Sequence, residues 1–436
     1  MGKVPTFPFY QQKTFMAAKN VKIGGGGNLR KQGSLGKSKD VWREVKRRFL
    51  RMTIDQCYRR YPLKPVELSL YRQPDYRQSD LSPAPILQEL RSLNGFTFLP
   101  NFGNMGDIVI TMATRQLFQK SGLSWEMFRP YSLPSENLVF GGGGLFVRDW
   151  QIGYRHVLKL FQGNGLKRIV ILPSSFHDCP DLLDIVDARF TIFCREKRSY
   201  DYLLSAGTRG NIILSHDMVF FLAGGFPKTD SLFHPEFRRV YRQIIASVPR
   251  LTKLGGYSVG FFLRSDSESA NPGEKAGLLS TLDLSTCICS SSRNMGEVAF
   301  YSKLFFAGID TADIVVTDRL HVGICAMLLG KEVFLLDNSY GKVSGVYEQS
   351  MRRCSRVHFV DDAEELPDVI GGVIAGGNVR RTANLESMKK IGESLQHYEG
   401  SLFSKIINMV RTFLVGGDVL RQGESVPLPH FDEVRV

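Results

Sequence analysis

The sequence predicts an α/β fold: two domains of mainly parallel strands with a cleft between them. Three observations carry this. Short apolar runs recur over residues 97–214 with helical or loop stretches between them, the alternation of βαβ units. Gly or polar residues follow each run, as strand ends feeding loops require. After a stretch over 224–257 in which Gly, Pro and charge are mixed, a second series of the same kind begins.

Residues 1–95 differ from the rest. Gly24-Gly25-Gly26-Gly27 and the Lys/Ser/Gly stretch to Ser38 are of low complexity and read as flexible. Asp40 is placed to cap a helix over 41–61, where Val41, Trp42, Val45, Phe49, Met52 and Ile54 form an apolar stripe among basic residues. Such a helix either lies on an anionic membrane or packs on its own domain with a solvated basic face, and both readings stay open. A Pro- and Tyr-rich connector over 61–85 follows.

The folded body starts near Phe96, with a strand over 97–99, a loop Asn101-Phe102-Gly103-Asn104-Met105-Gly106-Asp107 and a helix over 108–120. Further strands are expected over 138–140, 168–172, 189–193 and 211–214. The second series gives strands over 259–263, 286–289, 313–316, 333–336 and 357–360. An amphipathic helix over 384–414 closes the chain before a loose tail. The expected organisation is therefore a basic extension (1–95), an N-terminal domain (96–230), a C-terminal domain (231–414) and the tail (415–436).

A length of 436 residues suits two or three domains, and 43% hydrophobic residues supply their cores. The formal net charge is +13, but much of the excess sits in Lys39, Arg43, Lys46, Arg47, Arg48, Arg51, Arg59 and Arg60, so it says little about a site elsewhere. Seven cysteines are few and odd in number, and several lie in apolar runs. They fit buried thiols in a reducing compartment better than a disulfide framework. No stretch approaches the roughly 18–20 apolar residues of a membrane span, and the N-terminus lacks the apolar core of a signal peptide. The expectation is a cytoplasmic protein, soluble or peripheral at the inner face of the membrane.

Chemistry gathers where strands end. The run Ile314-Val315-Val316 leads into Thr317-Asp318-Arg319-Leu320-His321, and the run over 333–336 leads into Asp337, Asn338 and Lys342. In open α/β sheets ligands bind at the C-terminal strand edge. An Arg, a His and a Lys converging there suit an anionic substrate and proton transfer. Arg195, in the stretch that follows the run ending at Phe193, is placed to fork onto a carboxylate or phosphate, and Arg264 follows the same logic. Gly103-x-x-Gly106-Asp107 and the run Gly141 to Gly144 permit close backbone approach to a ligand, or tight turns and packing alone. Asp107 stands where a helix cap would, and Ser199 is placed to cap the helix after Arg195.

Several other signals fail. Gly256-Tyr257-Ser258-Val259-Gly260 matches a nucleophile elbow, but its strand follows the Ser instead of preceding it. Cys287-Ile288-Cys289 lacks a second pair for zinc. The aromatics lie in apolar runs and not among basic residues, unlike single-strand nucleic-acid binders.

In this company the chain resembles the polysaccharide pyruvyl transferases. The motifs that carry the likeness are Gly103-Asn104-Met105-Gly106-Asp107, the Gly141 to Gly144 run, Arg195 with Ser199, His216-Asp217, Asp318-Arg319-Leu320-His321, and Asp337-Asn338-Ser339-Tyr340-Gly341-Lys342. The last two are the specific ones, and the likeness spans about residues 96–360. It implies two Rossmann-like domains facing across a cleft, as in GT-B glycosyltransferases. It also implies transfer of pyruvate from phosphoenolpyruvate onto two sugar hydroxyls, giving a cyclic ketal and phosphate. Arg195, Arg319, His321 and Lys342 match the donor-site and catalytic positions. Asn104, Gly106, Asp107, Gly142, Gly143, Asp217, Arg264, Asn338 and Ser339 are expected to bind substrate. No cofactor or metal is called for. The expected partners are phosphoenolpyruvate and a sugar acceptor, lipid-linked in some relatives, with membrane contact through the basic helix. The rival readings are a glycosyltransferase using a nucleotide sugar, a non-catalytic assembly component and, with least support, a nucleic-acid binder.

Overall fold

The computed structural model describes residues 81–377 and 379, apart from 102, 130–134, 148–150, 164, 223–250, 265, 267, 271–282 and 287–294. The expected basic helix, the closing helix, the tail and the boundary at 230 lie outside the described residues.

Two sheets organise the chain. The first has seven strands: β1 (Phe96–Leu99), β2 (Trp125–Met127), β3 (Asn137–Phe140), β4 (Gly143–Val147), β5 (Arg168–His177), β6 (Phe190–Cys194) and β7 (Asn211–Leu214). Its order is β2-β1-β3-β5-β6-β7, with β4 also on β5, and every pair is parallel. The second runs β12 (Val357–Phe359), β11 (Glu332–Leu335), β10 (Ile314–Thr317), β9 (Tyr257–Phe262) and β8 (Thr252–Leu254), parallel except for the β8–β9 hairpin. Parallel strands buried on both faces read as unbroken apolar runs. The central β10 shows it, with all four of its residues buried.

The first sheet changes direction between β1 and β3, which puts the loops after those strands at a topological switch point. From the β1 loop runs the helix Met105–Lys120, whose buried residues lie on nearly every side. A helix apolar all round belongs inside a core. This one packs against the helix Met295–Ile309 of the second sheet, and a single apolar cluster runs from Leu81 through both to Val357. Its far end is clamped by Phe118, which meets Phe96, Phe98 and Trp125 edge to face. The C-terminal edges of both sheets come together over this shared core.

Some elements differ from the sequence reading. β5 continues to His177, and β2, β4 and β8 are short or irregular strands that apolar runs do not reveal. Of the strand expected over 286–289 only Thr286 is among the described residues, and it lies in the 3-10 turn Leu284–Thr286. Its entry is fixed by Asp283, whose Oδ1 accepts from Ser285 N at 3.2 Å, a local bond that competes with strand pairing. Ser258, in the discarded elbow motif, lies inside β9 and donates to Asp313 Oδ2 at 2.8 Å. Cys179, Cys194, Cys325 and Cys354 are buried. No helix among the described residues is long and apolar enough to cross a membrane.

Candidate active site

The loop after β1 is built to start a helix. Asn104 Oδ1 accepts from Gly106 N at 2.9 Å, and Asp107 Oδ2 accepts from Asn104 N at 3.1 Å, a reciprocal capping box. Asp107 Oδ1 accepts from Asn101 Nδ2 at 2.9 Å. Burial pushes the Asp107 carboxyl up, against the positive fields of His321 and Arg195. Asn104 and Asp107, expected to bind substrate, thus have side chains engaged by protein groups. Two glycines set what can approach them. A Cβ on Gly143, at φ +111°, would lie 2.8 Å from both Asp107 Oδ1 and Asn101 Nδ2. A Cβ on Gly106 would lie 2.1 Å from His321 Nδ1. Gly142 and Gly143 therefore belong to the packing of the switch point, while Gly106 is the floor against which His321 rests.

Arg195 leaves β6 into the interior, only 1% exposed. Its Nε donates to Ser175 Oγ at 2.9 Å and its Nη1 to Asp217 Oδ2 at 2.7 Å. Asp217 caps the 3-10 turn Met218–Phe221 through Oδ1, which accepts from Val219 N at 2.9 Å. The same carboxylate stands 3.4 Å from His321 Nε2, a charge contact and not a hydrogen bond. Burial would raise Asp217, but the facing charges of His321 and Arg195 hold it well below the usual carboxylate range. Burial would likewise weaken the Arg195 proton, but Asp217 and Glu196 hold it on. Asp217, expected among the substrate-binding groups, is fully buried and engages Arg195, His321 and Val219. It ties the first sheet to the histidine of the second. Ser199 is not the helix cap. Within the helix Lys197–Ser205, its hydroxyl accepts from Phe176 N at 2.7 Å.

The second sheet supplies the other cations. Thr317 Oγ1 donates to Phe262 O at 2.6 Å and accepts from Arg319 N at 3.0 Å, while Asp318 Oδ1 accepts from Arg264 N at 2.7 Å. Residues 317–319 thus lock the ends of β9 and β10 together. Arg319 Nε donates to Asp283 Oδ1 at 3.0 Å, and its Nη2 pairs with Asp283 and, at 2.7 Å, with Asp266. Arg264 pairs with Asp266 at 2.7 Å and Glu268 at 2.6 Å. Lys342 Nζ meets Glu268 Oε2 at 2.8 Å. Asp337 and Asn338 cap the helix Lys342–Val346: Asp337 Oδ1 accepts from Val343 N and Ser344 N, each at 3.2 Å, and Asn338 Oδ1 from Lys342 N at 2.8 Å. Ser339 is exposed, and its N donates to Glu268 O at 3.1 Å. Burial pushes Lys342 down to about 8, helped by Arg264 and Arg195 and opposed by Glu268.

All four expected catalytic residues meet at the facing sheet edges. The sequence reading missed the carboxylates Asp266, Glu268 and Asp283, which partner the cations there. For Arg264 and Glu268 an i,i+4 spacing was visible; for Asp283 and Arg319 nothing local was. Among the described residues no group of three or more His, Cys, Asp or Glu side chains could hold a metal. A cavity of about 60 Å³ opens beside Lys342, lined also by Ser175, His177, Glu196, Arg198 and Tyr340. His177 stacks parallel to Tyr340 at 6.0 Å, another bridge between the sheets.

Comparison with known proteins gives three findings. The sequence profile of the polysaccharide pyruvyl transferase family matches residues 104–340. "Putative pyruvyl transferase EpsO" of Bacillus subtilis (strain 168) is 24% identical over 318 residues, 62% of this chain and 89% of that protein. A solved structure of an uncharacterised protein from Klebsiella pneumoniae subsp. pneumoniae NTUH-K2044 is 26% identical, with a TM-score of 0.48, covering 64% of this chain and 98% of that one.

Proposed function

The chain belongs to the polysaccharide pyruvyl transferase family, and from that premise we propose that it moves pyruvate from phosphoenolpyruvate onto two hydroxyls of a sugar in a polysaccharide precursor. The observation that carries this most is the meeting of Arg195 and Asp217 from one sheet with His321 from the other. It sets a proton-transfer group beside fixed cations at the strand edge where ligands bind.

Phosphoenolpyruvate brings a carboxylate and a phosphate, and Arg195, Arg264, Arg319 and Lys342 are the groups to receive them. Two sugar hydroxyls add to C2 and the C2–O bond to phosphate breaks. One hydroxyl proton ends on C3, which becomes the methyl group, and the other leaves with phosphate. His321 is the general acid–base group, with the Asp217 carboxylate 3.4 Å from its Nε2 as a charge partner. Arg and Lys stabilise charge on the departing phosphate. Two Rossmann-like domains in a GT-B-like arrangement would let the sheets hold donor and acceptor from opposite sides.

The test is incubation with phosphoenolpyruvate and a panel of lipid-linked and nucleotide-linked sugars, reading phosphate release and product mass. A pyruvate ketal is the expected product. Protection from thermal unfolding by nucleotide sugars but not by phosphoenolpyruvate would favour a glycosyltransferase instead. His321→Ala should lower phosphate release roughly 10²–10⁴-fold, and near-full release would remove His321 from its role.

A further inference from the structure

One of the chain's own carboxylates occupies the cationic cluster of the second sheet. Glu268 is 3% exposed. Its Oε2 lies 2.6 Å from Arg264 Nη2, 2.8 Å from Lys342 Nζ, 3.2 Å from the Tyr340 hydroxyl and 3.5 Å from Asn338 Nδ2. One oxygen thus draws donors from four residues, two of them cations. Its backbone is held against the same loop, since Glu268 O accepts from Ser339 N at 3.1 Å and Ser269 bridges to Asn338. Guanidinium, ammonium, phenol and amide around one oxygen are what an incoming carboxylate or phosphate would need.

We propose that Glu268 is a specificity-determining residue, an internal anion that holds the donor's place and yields it only to a ligand bringing two anionic groups. This rests on the reading that the site takes an anionic donor. Two observations support it besides the contacts. The first is charge. Arg195, Arg264, Arg319 and Lys342 face Asp217, Glu196, Asp266, Asp283 and Glu268, four cations against five carboxyl groups. Adding a polyanion to a buried cluster whose cations already have partners leaves charge uncompensated, which is costly. Withdrawing Glu268 releases Lys342 Nζ and Arg264 Nη2 for an incoming anion. The second is place. The cavity opens beside Lys342 and Tyr340, two of the four donors around Glu268 Oε2. An anion entering it meets donors that Glu268 already holds. A tethered carboxylate competes at millimolar or higher effective concentration. A single anionic group therefore competes poorly, while a second one reaching Arg319 or Arg195 tips the exchange.

The experiment is calorimetric titration of the full chain and its Glu268→Asp and Glu268→Ala variants with inorganic phosphate, pyruvate and phosphoenolpyruvate. Thermal melts first establish that each variant folds. Phosphate should bind Glu268→Ala at least about tenfold more tightly than the parent, a step of one ion-pair contact. Glu268→Asp should fall between, and the preference for phosphoenolpyruvate over phosphate should shrink. Should the alanine variant not fold, the aspartate variant carries the test with the same sign. Equal or weaker phosphate binding in the folded variants would overturn the inference and leave Glu268 as a residue that positions Lys342 and Arg264. If phosphate affinity rises but the parent prefers phosphate to phosphoenolpyruvate, the internal anion stands and the donor reading fails.

Discussion

The two sheet edges bring similar charges to one place in different ways. At the first edge, Arg195 and Asp217 are 1% and 0% exposed, and Asp217 spends one oxygen on a backbone N–H. At the second, Lys342 and Asp266 keep 12% and 28% of their side chains exposed, and their partners are mostly other long side chains. The first edge is thereby anchored to the backbone, while the second joins its cations and acids mainly side chain to side chain. On the proposed function, the first would set the histidine and the second would supply cations whose partners a donor displaces.

The sharpest way to break this contrast is to cut one acid from each edge. Asp217→Ala leaves a buried guanidinium without its main partner and should cost about 3–5 kcal/mol of stability, read from the urea midpoint. Asp266→Ala removes a partly exposed acid from cations that keep Glu268 and Asp283, and should cost about 1 kcal/mol or less. Equal losses would mean that the edges do not differ in rigidity.

Next in size is Gly106→Ala. The added methyl would press on His321 Nδ1 and must move the ring. Turnover should fall about 10²-fold, the effect of a misplacement near 1 Å, with phosphoenolpyruvate affinity little changed. Retained turnover would show that His321 does not need its seat on the first sheet.

A smaller effect follows pH. Lys342 falls to about 8 from 10.5 when buried. Below pH 8 it is protonated in both folded and unfolded chains, and its burial costs stability there. From about 8 to 10.5 the unfolded chain binds the extra proton, so this contribution to stability improves as pH rises. Anion binding runs the other way, because the neutral amine no longer attracts phosphate. Titrations should show phosphoenolpyruvate affinity weakening above pH 8 in the parent and a flatter profile in Lys342→Met. The same slope in both would exclude Lys342 from donor binding.

Much of the fold was legible because parallel strands must be apolar on both faces. Val333 and Phe334 could be read as strand without knowing their neighbours, and an Arg or a Lys after such a run could be assigned to the strand edge. β2 and β8 were not legible, since three-residue edge strands need little apolar material. Thr286, expected to open a strand over 286–289, lies instead in the turn Leu284–Thr286, whose entry the side chain of Asp283 fixes. Asp217 drew notice only as part of a motif. Its charge contact with His321 spans 104 positions of sequence, and the pairing of Arg319 with Asp283 spans 36.

The sequence by itself determined that apolar strands lead into Arg195, Arg264, Arg319, His321 and Lys342, because hydrophobic periodicity and the residues that interrupt it are local properties. Only the tertiary structure decided which carboxylate faces which cation, that Gly106 is the surface His321 rests on, and that Glu268 fills the cationic cluster. Charge pairing in a buried site depends on which loops the sheet order brings within a few ångströms. That is set by packing over the whole core, which no local pattern encodes.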